Sequence, residues 1–171
     1  EGFTLELVCV SNYCQGDYWV RPLSANSWGV ALISYDAGAL SKWRVWANSD
    51  DNNWGNFGNA SENGYPVYSP DIAKMESFTH ILYVYNAEGK EFGMFVDGKC
   101  SGARPVDGFN VGSVLSVPGM PYTDGIKMAH GWNGKIAAVR IYDEAFTQEQ
   151  RLKAYEDMKP VIEKLNTLIA E

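Results

Sequence analysis

The stretch that decides the fold runs from residue 132 to residue 155 and reads WNGKIAAVRIYDEAFTQEQRLKAY. Its first half contains apolar residues typical of a strand, namely Ile136, Val139 and Ile141. Its second half begins with Thr147 and Gln150, which have the spacing of a capping box at the start of a helix. The segment therefore predicts a strand joined directly to an amphipathic helix.

The composition of the chain is typical of one all-β domain. Its 171 residues include 17 Gly, 6 Trp, 10 Tyr and 7 Phe, with 20% charged residues. Glycine favours turns, and aromatic residues favour pleated strands. The net charge of -7 argues against nucleic acid and against an anionic membrane surface as partners. No apolar run approaches the length of a membrane span, so we expect no membrane insertion.

Short alternating runs between turn residues predict further strands along the chain. The predicted strands are residues 3–10, 28–35, 42–47, 79–86, 90–96, 114–117 and 135–142. Ala87 to Gly89 separate two of them by a short turn, which is a hairpin signal. Several short strands with turns between them predict a sandwich or a barrel.

Helical periodicity is confined to the C-terminal part of the sequence. Leu152, Tyr155 and Met158 recur at three-residue intervals, and Pro160 then interrupts the pattern and can occupy the first turn of a second helix. We therefore expect a C-terminal helix or a broken helix pair. Residues 1–159 form the predicted domain, and residues 160–171 form a helical extension that packs on it or links it to another.

Three segments resemble those of a known family. FTHILYVYNAEGKEFGMFVDGK, at residues 78–99, is similar to the central hairpin of laminin G-like domains in the concanavalin A-like lectin/glucanase superfamily. Residues 132–155 resemble the last strand and short helix of that family. FTLELV, at residues 3–8, resembles its strand that leads into a concave sheet. The resemblance implies an all-β, two-sheet antiparallel jelly-roll sandwich.

The resemblance also implies a calcium site, but the sequence departs from that pattern. Many members have an acidic residue after the Gly-x-Ile of the last strand, where this chain has Ala137 and Ala138. We also expect that the strand which usually precedes FTLELV, often with a calcium-binding loop Asp, is missing. The remaining calcium candidates are Asp50, Asp51 and Asn53, since calcium prefers oxygen ligands. Such Asx-rich turns also form without an ion, so we expect no cofactor, with calcium as the alternative.

The sequence contains no recognisable catalytic arrangement. Laminarinase-like members of this fold place paired carboxylates on one strand, and no Glu-x-Asp-x-x-Glu pattern occurs here. His80 falls on a strand where the family often has His, so we expect a packed and hydrogen-bonded imidazole. His130 has no second His or Cys at metal-ligand spacing. We therefore predict that the chain is not an enzyme.

Residues 48–71 contain most of the candidate ligand site. The segment is rich in Asn, Gly and aromatic residues and lacks Lys and Arg, as is typical of a long functional loop. Sugars stack their C–H faces on aromatic rings while Asn and Asp bind the hydroxyls. The candidate carbohydrate site comprises Asn53, Trp54, Asn56, Tyr65, His130 and Trp132. In the alternative interpretation, the loop aromatics fold back as a satellite hydrophobic cluster.

The three cysteines leave the redox compartment open. Cys9 lies five positions before Cys14, close enough for a small disulfide loop, but it also continues the apolar alternation of its strand as a buried small hydrophobe would. With Cys100 the count is odd, so at least one thiol is unpaired within the monomer.

These features together predict a non-catalytic, carbohydrate-binding recognition module of a larger secreted, periplasmic or cell-surface protein. Its expected partners are a glycan or polysaccharide and other domains of the same polypeptide. One alternative is a structural or protein-binding module with no glycan site. The second alternative is a glycoside hydrolase of the laminarinase-like type, which requires paired carboxylates on one concave face.

Overall fold

The structure is a computed structural model that describes residues 2–11, 20–25, 30–36, 42–45, 67–69, 71, 74, 76–89, 91–105, 115–116 and 134–170. Within these residues the strands, in chain order, are β1 Gly2–Ser11, β2 Val20–Ala25, β3 Val30–Asp36, β4 Lys42–Val45, β5 Val67–Tyr68, β6 Thr79–Asn86, β7 Glu91–Val96, β8 Lys99–Pro105, β9 Leu115–Ser116 and β10 Gly134–Tyr142. The helix, α1, is Gln148–Ala170.

The described strands form two antiparallel sheets. The first sheet has the order β10-β1-β6-β7-β8, and the second has the order β5-β4-β3-β2-β9. The sheets meet where β4 and β5 contact β7 and β8. These features confirm the predicted all-β antiparallel class with a C-terminal helix.

Most predicted strands lie within two residues of their observed positions, and β6 has the predicted bounds. Three strands were not predicted: β2, β5 and β8. Pro22 interrupts the pattern of β2, and β8 contains Gly102 and Pro105, which weaken the strand signal. Pairing with a neighbouring strand outweighs such weak local propensities. β5 is only two residues long and lies inside the segment predicted to be a loop.

The first sheet is buried on both faces along β1. Leu5 and Leu7 point to one face and are fully buried, with their β6 neighbours Ile81 and Tyr83. The alternate residues point to the other face, which α1 covers. The cluster on the α1 side contains Val8, Val10, Phe78, Met158 and Ile162. On this second face the polar residues Thr4 and Glu6 are buried as well, and both are hydrogen-bonded there.

The helix α1 begins where the capping box predicts. The backbone N–H of Thr147 donates to Gln150 Oε1 at 2.7 Å, and the backbone N–H of Gln150 donates to Thr147 Oγ1 at 3.3 Å. Thr4 of β1 fixes the approach to the helix, because its hydroxyl donates to the Glu144 carbonyl and accepts from the Phe146 N–H. The predicted strand-to-helix join is therefore confirmed.

Of the two predicted alternatives, the single C-terminal helix is confirmed and the break at Pro160 is wrong, because α1 is one helix of 23 residues that contains this proline. A proline inside a helix costs about 3 kcal/mol through a lost hydrogen bond and a steric clash. Met158 and Ile162 are buried on the sheet on either side of it, and the Phe78 N–H donates to Asn166 Oδ1 at 2.6 Å. These contacts offset the cost of the proline. The predicted boundary at residue 159 falls inside α1, and a link to a further domain stays a prediction.

Cys9 is a fully buried free thiol, in agreement with its interpretation as a small core residue. Burial raises the pKa of the thiol well above its usual range, and the Asp97 carboxylate adds to this effect. Cys9 is thus not bridged to Cys14, which lies outside the described residues.

The described part of the chain contains no helix with the length and apolar character needed to cross a bilayer.

The packing of the turn between β7 and β8 against α1 can be tested at Gly98. This residue follows Asp97 in the turn and has a φ of 77°. A Cβ at this position would lie 2.7 Å from Tyr155 Cδ1 of α1. We expect Gly98→Ala to lower the free energy of unfolding by about 1–3 kcal/mol, from the left-handed backbone and the contact with the ring. Chemical denaturation measures the change.

The double variant Gly98→Ala with Tyr155→Ala is the matched control. It removes the ring and leaves only the backbone strain, so the glycine substitution should cost less in this background than in the wild type. An equal cost in both backgrounds would show that the turn does not pack on the helix.

Candidate functional site

All six candidate sugar-binding residues lie outside the described part of the chain: Asn53, Trp54, Asn56, Tyr65, His130 and Trp132. The calcium candidates Asp50, Asp51 and Asn53 lie outside it as well. Their roles stay predictions. The structure describes the framework to which these two segments are attached.

The segment of residues 46–66 is attached to the second sheet. The chain leaves β4 at Val45 and returns in β5 at Val67, and these two residues are paired across the strands. β5 leads towards Asp71, whose carboxylate accepts a hydrogen bond from Lys99 Nζ at the start of β8. The segment is thus bounded on both sides by paired strands of the second sheet.

Residues 130 and 132 precede β10, which lies at the edge of the first sheet in the described structure. Gly134 begins β10 and pairs with Ser11, whose carbonyl accepts from the Glu76 N–H. This is the same end of the sandwich as Lys99. The two segments that contain the candidate residues thus adjoin different sheets.

Within the described residues, the most elaborate polar cluster surrounds Glu6. Its Oε1 lies 2.8 Å from His80 Nε2, and its Oε2 accepts from Arg140 Nη1 and from the Tyr142 hydroxyl, each at 2.8 Å. The side chains of Glu6 and His80 are each 1% exposed, whereas that of Arg140 is 47% exposed. We call these four residues the Glu6 cluster. It joins β1, β6 and β10.

The register of the sheet explains this arrangement. Arg140 is directly opposite Glu6, while Tyr142 and His80 are each two residues away along a neighbouring strand and share its face. The helix α1 covers this face. The ring of Tyr155 lies 5.9 Å from that of His80, and Met158 Sδ lies 3.2 Å from Arg140 Nη1.

The surroundings keep Glu6 ionised. Burial by itself raises the pKa of this carboxyl, but hydrogen bonds from His80, Arg140 and Tyr142 outweigh burial and lower the pKa from 4.5 to about 2. A general acid or base must exchange a proton near the working pH, which such a group does not do. The Glu6 cluster is therefore a structural feature. The predicted packed and hydrogen-bonded role of His80 is confirmed.

Glu6 was not among the predicted site residues, because a charged residue among alternating apolar ones resembles a solvent-facing strand position. The one sequence signal for a buried Glu6 was Arg140 as a possible ion-pair partner. Recognising that pair requires the pairing register of β1 with β10, which places the two residues opposite each other. The backbone of His80 is also fixed, because its amide N–H donates to Asp97 Oδ1 and its carbonyl accepts from the Asp97 backbone N–H.

The described residues offer no metal site. Among them, no three His, Cys, Asp or Glu side chains are grouped so that they could hold a metal ion. Ala138 packs beside the Val8 and Met158 cluster, and Ala137 is exposed. The positions after Gly-x-Ile in β10 thus supply no side-chain oxygen.

A pocket lies beside the Glu6 cluster, between the first sheet and the first turns of α1. It has a volume of about 300 Å³. Its lining residues are His80, Leu82, Phe95, Gly98, Cys100, Gln148, Arg151 and Leu152. The sequence did not predict this pocket, because its walls come from β6, β7, β8 and α1, which only the tertiary fold brings together.

The pKa of Glu6 gives a test of the cluster. The ionised form is favoured in the folded state, so its contribution to stability is complete above pH 4.5 and is lost as the pH falls towards 2. We expect a loss on the order of 3 kcal/mol across this range from this group. Unfolding free energies measured from pH 6 to pH 2 should fall less steeply for Glu6→Gln than for the wild type.

Asp157→Asn is the matched control, because Asp157 is an exposed carboxylate that pairs with Lys153 one turn earlier on α1. This variant should keep the acid dependence of the wild type, since exposed ion pairs contribute little. If Glu6→Gln and the wild type lose stability in parallel, the cluster does not have the assigned role.

Comparison with known proteins identifies a matching family and several similar structures. A laminin G-type family model, described as the concanavalin A-like lectin/glucanases superfamily, matches residues 17–150. A candidate carbohydrate-binding protein from Bacteroides ovatus is similar in structure (TM-score 0.63, 16% identity), over 89% of this chain and 40% of that one. The CBM40 of the Ruminococcus gnavus IT-sialidase, bound to α2,3-sialyllactose, is similar over 91% of this chain and 83% of that one (TM-score 0.62, 11% identity).

A Trypanosoma rangeli sialidase is similar with a TM-score of 0.60 and 15% identity, over 92% of this chain and 23% of that one. The chain thus spans less than half of the Bacteroides ovatus protein and about a quarter of the trypanosome enzyme. No curated protein sequence matches the chain significantly. At these identities the structural likeness shows the fold, and the family model shows the family. The chain belongs to the laminin G-like group of the concanavalin A-like lectin/glucanases superfamily.

Proposed function

We propose that this chain is a non-catalytic carbohydrate-binding module of a secreted, periplasmic or cell-surface protein. The observation that carries the proposal is the family match, which spans residues 17–150 and includes all six candidate sugar-binding residues. Two similar structures support it. The Bacteroides ovatus protein is described as a carbohydrate-binding protein, and the Ruminococcus gnavus CBM40 is bound to α2,3-sialyllactose. A fold by itself does not determine function, so the ligand class is the part to test.

The proposed site has the chemistry that a neutral sugar needs. Trp54, Tyr65 and Trp132 offer aromatic faces for the C–H groups of a pyranose, while Asn53 and Asn56 offer both donors and acceptors for hydroxyl groups. The segment between Arg44 and Lys74 contains no cationic residue. This composition favours hydroxyl recognition over recognition of a phosphate or sulfate.

The state of Glu6 supports a non-catalytic role. Retaining glycosidases need two carboxyl groups about 5 Å apart, one of which has a raised pKa. Glu6 has a lowered pKa and lies beneath α1. Exposed Asp143, Glu144 and Glu149 stand at the start of α1, where negative charge favours the helix dipole. These described carboxylates have structural explanations.

The small share of the longer structures that the chain covers supports a module within a larger polypeptide. The proposed partners are therefore a glycan or polysaccharide and neighbouring domains. A structural or protein-binding module without a glycan site is the rival proposal, and a laminarinase-like hydrolase is a further one. Glycan binding without turnover distinguishes the proposed function from both.

A glycan array probed with the intact domain tests the proposed function. We expect saturable binding to at least one glycan, and we expect Trp54→Ala to abolish it because the stacking surface is removed. Trp54→Phe is the matched control and should retain part of the binding, since it keeps a ring. The melting temperature of both variants should stay near that of the wild type. Binding unchanged in Trp54→Ala would disprove this site, and an array without signal would disprove the ligand class.

The absence of a calcium requirement is a separate proposal. We expect that EDTA leaves the melting temperature of the domain unchanged. A calcium ion that binds only the folded state would stabilise that state by mass action, so its removal would lower the melting temperature. Differential scanning calorimetry with and without EDTA measures this, with calcium-saturated EDTA as the control. A fall of several degrees that added calcium reverses would assign an ion to the domain.

A further inference from the structure

The two edges of the first sheet differ in how well they are protected from pairing with another strand. In the described structure β8 and β10 are the outer strands of this sheet. β8 contains Gly102 and Pro105, which weaken strand pairing at an edge. β10 runs from Lys135 to Tyr142 without glycine or proline. Its outer side therefore presents a continuous row of backbone groups to which a further strand can bind.

Aliphatic side chains extend along the β10 edge on the face opposite α1. Leu5 and Leu7 of β1 are fully buried, whereas their β10 partners Ile141 and Val139 are 57% and 38% exposed. Burial on this face thus decreases sharply from β1 to β10. A further strand at this edge would cover both β10 side chains, and burial of apolar surface favours such an arrangement.

The other face of the sheet adds an apolar group to the same edge, namely Val161 of α1. Met158 contacts Arg140 of β10, while Tyr155 contacts His80 of β6. At about 100° per residue, Tyr155 and Val161 lie about 60° to either side of Met158. Val161, which is exposed, therefore lies on the flank of α1 nearest β10. Apolar side chains border the edge on both faces.

Two copies of β10 can pair antiparallel about a two-fold axis at Val139 so that each pair shares a face of the sheet. The irregularity opposite Val8 and Cys9 leaves Ala137 outside the pairing of β10 with β1, and it sets which residues share a face. The opposite pairs are Val139 with Val139, Arg140 with Ala138, Ile141 with Ile136, and Tyr142 with Lys135. This register joins aliphatic side chains and places no like charges opposite each other.

Charge favours this register, and it favours a second copy of the chain as the partner. An axis at Arg140 would place two guanidinium groups opposite each other, which is destabilising. With the axis at Val139, exposed Lys135 of one copy lies beside exposed Asp143 of the other, at both ends of the strand pair. The edge is thus complementary to itself in charge as well as in apolar surface, as a symmetric two-fold contact requires.

We propose that two copies of this chain associate through β10, so that the first sheet continues from one copy into the other. Backbone hydrogen bonds join the two strands, and Val139 and Ile141 become covered on the face opposite α1. Because the interface is small, we expect a Kd of about 100 μM or tighter. This assembly goes beyond the proposed glycan function and does not depend on it, because β10 contains none of the six candidate sugar-binding residues.

Sedimentation velocity of the full chain tests the proposal. The measurement is made at physiological salt, which screens the net charge of -7 on each copy. We expect a monomer at about 1 μM and a dimer fraction that grows towards about 500 μM. A chain that stays monomeric over this whole range would overturn the proposal.

Val139→Lys assigns the association to β10, because it places two cations opposite each other at the two-fold axis. We expect the Kd to rise at least about tenfold from this repulsion and from the lost apolar contact. Leu152→Lys is the matched control, since it makes the same kind of change at an exposed aliphatic residue on the flank of α1 away from β10. It should leave the Kd unchanged. Equal Kd values for the two variants would place the contact elsewhere and overturn the proposal.

A cysteine substitution tests the register without adding charge. At the axis the two Val139 Cα atoms are about 4.5–5.5 Å apart, within the range of a disulfide. We expect Val139→Cys to form an intermolecular disulfide between the substituted positions under mild oxidation, as mapped by peptide mass spectrometry. Ile141→Cys is the matched control, because its two copies lie roughly 13 Å apart along the strands. If Val139→Cys crosslinks no faster than Ile141→Cys, the proposed pairing is wrong.

Discussion

The hydrogen bonds to the buried, ionised carboxylate of Glu6 are the interaction on which the first sheet and its packing against α1 depend. The carboxylate is 1% exposed and accepts hydrogen bonds from groups on two neighbouring strands, so it ties β1 to both β6 and β10. A buried charge is stabilising only while its partners stay in place, and the loss of one partner leaves it uncompensated. The cluster therefore favours one register of the three strands over any alternative.

The Glu6 cluster also positions α1. His80 and Arg140 contact Tyr155 and Met158 of the helix, and the apolar residues around Met158 extend the same interface. This packing allows the helix to continue through Pro160. It also leaves a pocket where the first turns of α1 rise above Phe95. The face of the first sheet that α1 covers thus combines a closed polar cluster with an open pocket, whereas the proposed sugar-binding residues belong to other segments.

The parts of the fold that were predicted correctly depend on short sequence distances. The capping box needs only Thr147 and Gln150, and the hairpin of β6 and β7 needs two alternating runs and a short turn. The missed parts depend on distant partners. β8 forms despite Gly102 and Pro105 because β7 pairs with it, and the function of Glu6 depends on Arg140, which is 134 residues away in the chain. The pocket was missed for the same reason.

By itself, the sequence determined the all-β class, the family and the strand-to-helix join, because these follow from alternation, spacing and capping within short segments. Only the tertiary structure decided that Glu6 is a buried and ionised structural group and that α1 is continuous. It alone placed Arg151 and Phe95 together in one pocket. The physical reason is that pKa, burial and pocket shape depend on which distant side chains share a face, and strand register sets that arrangement.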